Sequence, residues 1–185
     1  MSLPFPAVSV AVAAIAIILY IVSTATDYWV ELTSAPDGKT FIGLWRFCST
    51  LAGTTACTTS LPEEYAKFKD GIWIARGCML SAILIASITW ILTLLALYEK
   101  RSGHPRLSFC KTINRFHWKV NGMAFFATVL LVFAGTTVIR AKFDGYVFGY
   151  SIILAWISIG IGIISGSMLT FCFPTITDAN SPGST

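Results

Sequence analysis

Four long apolar runs dominate this chain, and they constrain its fold more than any other feature. They cover about residues 5–24, 77–98, 120–139 and 150–173, and none contains Asp, Glu, Lys, Arg or His between its ends. A run of about 20 residues, at about 1.5 Å per helical residue, crosses a hydrocarbon core of about 30 Å. Only 12% of the residues are charged, about half the share in a soluble domain. We therefore predict one domain over residues 1–185, an all-α transmembrane four-helix bundle, and exclude a soluble enzyme and a nucleic-acid-binding protein.

The charges between the runs predict the orientation. Residues 99–119 contain six basic residues and one acidic residue, and such a loop lies on the cytoplasmic side of a membrane. Residues 25–76 and 140–149 are then outside the cell, and both termini, including a tail over residues 174–185, are cytoplasmic. An alternative is that the first run is a signal sequence cleaved after Ala25. No basic residue precedes that run, and this absence counts against cleavage, as does the length of the run.

The composition of the runs limits the chemistry they support. Proton relays, ion-coupled transporters and intramembrane proteases need ionisable or nucleophilic groups within the bilayer. We therefore predict no enzyme activity, no cofactor and no metal site. The fourth run has small residues four apart, which lie on one helix face where backbones can approach closely. This face either packs inside the bundle or associates with a second protein, and it comprises Ser158, Gly162, Gly166 and Thr170.

The first outer loop has a pattern of its own. Strand-like stretches cover residues 28–32, 40–48 and 56–60, with a Pro-Asp-Gly turn at 36–38, and a helical pattern follows Pro62. This pattern predicts a small antiparallel sheet. Cys48 and Cys57 lie in this loop, and their exposure to an oxidising compartment predicts a disulfide. Cys110 and Cys172 lie near cytoplasmic helix ends, where they are either palmitoylated or unmodified.

Several motifs together resemble one family. The first run leads into Asp27-Tyr28-Trp29, followed by Gly43-Leu44-Trp45, Cys48 and Cys57, and Arg76 precedes the second span. This order is similar to the signature of the claudin, peripheral myelin protein, epithelial membrane protein and lens fibre membrane protein superfamily. The resemblance implies a four-helix bundle that carries an extracellular antiparallel sheet, with its two cysteines bonded between neighbouring strands. The motif residues expected to anchor the sheet at the membrane surface are Trp29, Gly43, Leu44, Trp45 and Arg76.

The resemblance also implies a function, with alternatives. We expect a non-enzymatic plasma-membrane protein of cell–cell contacts, whose sheet serves adhesion, junction organisation and lateral self-assembly. The partners would be membrane lipids and the same or related four-span proteins in the same or the opposing membrane. Apolar loop residues expected to be exposed are candidate association contacts: Phe41, Ile42, Leu51, Tyr146, Val147 and Phe148.

Two alternative functions remain open. One is a claudin-type paracellular barrier or channel at tight junctions, and the other is an auxiliary subunit of a channel or receptor. The second outer loop is shorter than is typical of claudins. The last residues, Ser-Pro-Gly-Ser-Thr, do not predict binding to a PDZ scaffold because no apolar residue ends the chain.

Overall fold

The computed structural model describes residues 5–35, 38–51, 53–60, 62–102 and 110–172. The four helices are α1 Phe5–Ala25, α2 Lys69–Ser102, α3 Cys110–Lys142 and α4 Tyr150–Ser167, and a π-helical turn, Met168–Cys172, extends α4. The strands are β1 Val30–Ala35, β2 Gly38–Ile42, β3 Phe47–Leu51, β4 Thr54–Thr58 and β5 Val147–Phe148. A 3-10 helix, Glu63–Phe68, leads directly into α2.

The four helices form a closed bundle. α1 packs against α2 and α4, and α3 also packs against α2 and α4. All four are long and apolar enough to cross a membrane. Large aliphatic side chains remain exposed around the outside of the bundle, where lipid replaces water as the neighbour: Ile15, Leu84, Ile88, Leu95, Met123, Leu130 and Ile153.

Hydroxyl groups inside the bundle bond mainly to their own helices. Thr93 donates to the Thr89 carbonyl at 2.8 Å and Ser158 to the Ala155 carbonyl at 2.6 Å. Other bonds join different helices: Asn121 Nδ2 donates to Thr93 Oγ1 at 3.1 Å, Trp90 Nε1 donates to the Val10 carbonyl at 3.0 Å, and Ser23 Oγ donates to the Ser151 carbonyl at 2.8 Å. The hydrogen bonds named here therefore satisfy their polar groups without charges in the membrane.

The small-residue face of α4 lies inside the bundle. Ser158, Gly162 and Gly166 are buried, and Thr170 is half-buried with its hydroxyl bonded to the Gly166 carbonyl at 2.7 Å. A β-carbon at Gly162 would lie 2.6 Å from Tyr20 Oη and 2.8 Å from Val129 Cγ2. The geometry favours packing within one chain over lateral association for this face.

Gly160 and Gly162 allow a matched test of this packing. A β-carbon at Gly160 meets no atom within 4 Å. We expect Gly162→Ala to lower the free energy of unfolding by about 1–2 kcal/mol relative to Gly160→Ala, because only the former overfills the interior. Unfolding of both variants in mild detergent by titrated SDS measures the difference. Equal stabilities would contradict the buried placement of Gly162.

The sheet packs on one end of the bundle, here called the sheet end. Its strand order is β4-β3-β2-β1-β5, and all neighbours are antiparallel. One row of paired residues runs across the strands through Val30, Ile42, Phe47 and Thr58. Val30 and Ile42 of this row belong to the core, and Phe47 packs against it. Trp29, Leu32, Leu44, Phe68 and Phe143 continue the core of the bundle into the sheet.

Several predicted boundaries were wrong. The predicted strand over residues 40–48 is two strands, β2 and β3, because a turn at Gly43–Arg46 reverses the chain, with the Gly43 N–H donating to the Arg46 carbonyl at 2.8 Å. The predicted strands at 28–32 and 56–60 are β1, Val30–Ala35, and β4, Thr54–Thr58. β5 was not predicted. Residues 36, 37 and the predicted tail, 174–185, lie outside the described residues.

The helices extend beyond the predicted spans. α2 begins at Lys69, so the helical pattern predicted after Pro62 continues into this helix, and α3 continues to Lys142, beyond the predicted span end at residue 139. Residues 99–102 and 110–119, predicted as a loop, are helical, and residues 103–109 lie outside the described part of the chain. A helix satisfies its own backbone groups, so it can continue from lipid into water without interruption.

Candidate functional site

Trp29 joins the sheet to two helices. Its side chain is only 1% exposed, and its indole N–H donates to the Ser23 carbonyl at the end of α1 at 2.9 Å. Its backbone N–H donates to the Ile42 carbonyl at 3.1 Å, and its carbonyl accepts from the Gly149 N–H, just before α4, at 3.0 Å. One residue thus fixes α1, β2 and the start of α4 together.

The Gly43-Leu44-Trp45 motif forms the turn between β2 and β3. A β-carbon at Gly43 would lie 2.6 Å from Asp27 Cα, so a side chain would push the backbones apart. Leu44 is buried in the core, and Trp45 Nε1 donates to the Thr24 carbonyl at 2.9 Å. The motif therefore holds the turn against the end of α1.

Arg76, on α2, contacts the turn between β2 and β3. Its Nε donates to the Leu44 carbonyl. Its guanidinium carbon lies 5.2 Å from the Trp45 ring centre and 5.0 Å from the Trp73 ring centre, within the range of a cation–π contact. The role of Trp73 was not predicted. Its position three residues before Arg76 on a helix is the sequence signal that could have indicated this contact.

The disulfide between Cys48 and Cys57 is confirmed. These residues are directly paired on β3 and β4. On the same face, the Thr50 and Thr55 hydroxyl oxygens lie 3.0 Å apart. Closing so short a loop contributes about 2–3 kcal/mol in the chain-entropy model. The outermost strand is therefore covalently attached to the rest of the sheet.

The candidate association contacts have different environments. Val147 is 61% exposed and Tyr146 is also exposed, whereas Phe41 and Phe148 are half-buried. The expectation that Ile42 is exposed was wrong, since this residue is 2% exposed and lies in the core. Ile42 pairs with Val30 beside the bundle, so its side chain faces the helices. Leu51 ends β3, and its side chain lies outside the described part of the structure.

An aromatic series that was not predicted joins the sheet to α2 and α3. The ring centres are 5.4 Å apart for Phe47 and Tyr65, 6.5 Å for Tyr65 and Phe68, and 4.1 Å for Phe68 and Phe143. Tyr146 meets the rings of Phe68 and Phe143 edge-on. The aromatic residues three apart in the 3-10 helix are a weak signal for such packing, and their partners are distant in sequence.

Cys110 is the first residue of α3, and Cys172 ends the π-helical turn after α4. Their side chains are outside the described set, so palmitoylation stays a prediction. Within the described residues, no group of three or more His, Cys, Asp or Glu side chains is arranged to hold a metal ion.

The arrangement is a disulfide-linked sheet fixed rigidly to one end of a four-helix membrane bundle. Residues 3–169 match the family profile described as PMP-22/EMP/MP20/Claudin. The chain belongs to this family. No curated protein matches the chain at a significant level. The family match and the structure confirm the predicted claudin-like fold, and they identify a multi-pass membrane protein with an extracellular sheet.

Proposed function

We propose that this protein is a non-enzymatic component of cell–cell contacts, and that its extracellular sheet pairs with the sheets of neighbouring copies. The observation that supports this most is the state of β4. All five of its residues are exposed, and the strand is at the edge of the sheet with β3 on one side. An exposed edge strand offers unpaired backbone groups to another strand.

The sequence of β4 lacks the usual protection of an edge strand. Such edges are commonly blocked by lysine, proline or a bulge. β4 reads Thr-Thr-Ala-Cys-Thr and pairs with β3 in continuous register from Leu51 and Thr54 to Phe47 and Thr58. The other edge strand, β5, has only two residues and is followed one residue later by α4. The asymmetry between the two edges favours β4 as the contact.

The rigid attachment of the sheet supports the same proposal. The disulfide, the Trp29 hydrogen bonds and the Arg76 contacts order β4 before any partner arrives. Preorganisation lowers the entropic cost of association. Two copies related by a twofold axis can pair their β4 strands antiparallel, which gives a self-complementary interface. Exposed Val147 and Tyr146, near the membrane end of the sheet, are additional contacts for lateral assembly.

A charge placed on β4 tests the proposal. In Ala56→Lys, the added lysines of two paired β4 strands lie close together and repel, and we expect cell aggregation to fall by about fivefold. Ala141→Lys is the matched control, because Ala141 is exposed at the sheet end of α3 and lies outside the sheet. The measurement is aggregation of suspended cells that express each variant at equal surface density.

Three outcomes would decide the question. Loss of aggregation in Ala56→Lys but not in Ala141→Lys supports pairing through β4. Absence of aggregation with the unmodified protein, or equal loss in both variants, contradicts it. Transepithelial resistance measured on the same variants separates simple adhesion from a barrier, since only a barrier raises the resistance.

A further inference from the structure

A groove lies between the β2–β3 turn and the beginning of α2. Its volume is about 370 Å³, within the range of small-molecule sites. Trp45 and Arg46 line it from the turn, and Lys69, Trp73 and Arg76 line it from α2. The groove thus combines three cationic groups with two indole rings.

The charge of the groove favours an anion. Arg46 lies 3.4 Å from an Asp27 carboxylate oxygen, and Glu63 also lines the groove. Among the side chains that the structure describes, no carboxylate forms an ion pair with Lys69 or Arg76. Arg76 uses Nε for the Leu44 carbonyl, which leaves its terminal nitrogens as donors. A lysine ammonium group and an arginine with free terminal N–H groups are well suited to bind phosphate.

The groove lies at the level of lipid headgroups. Residues 77–98 of α2 contain no charge, and as a helix they span about 33 Å, close to the thickness of a hydrocarbon core. Trp73 and Arg76 lie just beyond that segment on the sheet side, and Lys69 lies about 12 Å beyond it along the helix. Trp73 is 59% exposed and Ile74 is 51% exposed, as expected where a tryptophan meets the membrane interface.

We propose that this groove binds the phosphate of a phospholipid in the outer leaflet. Lys69, Arg46 and the terminal nitrogens of Arg76 contact the phosphate oxygens, and the indole rings of Trp45 and Trp73 contact the glycerol region and the upper acyl chains. A phospholipid is favoured over a free anion because the groove opens where lipid phosphates are concentrated and because its aromatic walls suit the apolar part of the lipid.

Native mass spectrometry of the purified full chain in detergent measures this binding. The titrants are dioleoylphosphatidylcholine, dioleoylglycerol, which lacks the phosphate, and inorganic phosphate. We expect Lys69→Gln to weaken phosphatidylcholine binding by about fivefold and the double variant Arg46→Gln/Lys69→Gln by about 30-fold, at about 1 kcal/mol per cation. Lys67→Gln is the matched control, since Lys67 lies over the Phe68 ring and does not line the groove.

The three titrants distinguish a phosphate carried by a lipid from free inorganic phosphate. Weaker binding of phosphatidylcholine in the groove variants, with Lys67→Gln like the unmodified protein, supports the proposal. Equal binding of dioleoylglycerol and phosphatidylcholine overturns it, as does unchanged lipid binding by the double variant. Displacement of the lipid by an equal concentration of inorganic phosphate would identify a free-anion site instead. Lys69 is exposed, so Lys69→Gln alone carries the test if the double variant does not fold.

Discussion

Trp29→Ala is expected to lower the free energy of unfolding by about 3–5 kcal/mol, the largest loss for a single substitution in this chain. The substitution leaves a cavity where α1, the sheet and α4 meet, since the indole is 1% exposed. It also removes the donor to the Ser23 carbonyl, which is then buried without that partner. Titration with SDS from mild-detergent micelles, followed by circular dichroism, measures the loss.

Trp156→Ala is the matched control for this prediction. Trp156 is 39% exposed on the lipid side of α4 and contacts Phe133 edge-on at 5.5 Å. Because much of this ring already faces detergent or lipid, we expect a loss of no more than about 1 kcal/mol. Similar losses in the two variants would contradict the role of Trp29 as the joint between sheet and bundle.

Gly149→Ala is the second large effect, and we expect it to cost about 3 kcal/mol. A β-carbon at this position would lie 2.0 Å from the Tyr28 carbonyl oxygen and 2.6 Å from its carbon. The cost is steric, since the Gly149 backbone has φ −79° and ψ 172°, which any residue can adopt. Both close atoms belong to the backbone, so relief requires that Gly149 and the start of α4 move away from Tyr28.

Hydrogen exchange tests the local consequence of Gly149→Ala. The movement would break the bonds from the Gly149 N–H to the Trp29 carbonyl and from the Ser151 N–H to the Tyr28 carbonyl. These two amides are therefore expected to lose protection before those of β2 and β3. Gly77→Ala is the control, because a β-carbon at Gly77 meets no atom within 4 Å. Unchanged protection in Gly149→Ala would show that the two backbones are not in contact.

The membrane part of the fold could be predicted because lipid imposes a strong and simple constraint. Charges are costly in a hydrocarbon core, so their absence marks each span. The helix ends were less predictable, since charge does not determine where a helix stops. Lys69 and Lys142 lie in helices that continue outside the membrane. The Lys142 side chain packs beside Gly71, a contact between α3 and α2 that local sequence does not indicate.

The anchoring residues were recognisable by type and order, but their contacts depend on distant parts of the chain. Trp29 and Trp45 are typical of a membrane interface, whereas their acceptors are carbonyls of α1 that no side-chain pattern reveals. β5 has two residues, too few to show the alternation typical of a strand. Ile42 was wrongly predicted to be exposed, because its burial depends on its pairing with Val30 beside the bundle, which the local sequence does not reveal.

Tethering of liposomes by the purified protein tests whether the extracellular sheet is the contact surface between copies. The protein is reconstituted with its sheet facing outward, and association of the vesicles is followed by light scattering and cryo-electron microscopy. We predict that the unmodified protein tethers vesicles and that Ala56→Lys vesicles associate about fivefold less, while Ala141→Lys vesicles tether normally. Vesicles that stay separate with the unmodified, folded protein, or that tether equally well with Ala56→Lys, would show that the sheet is not this contact.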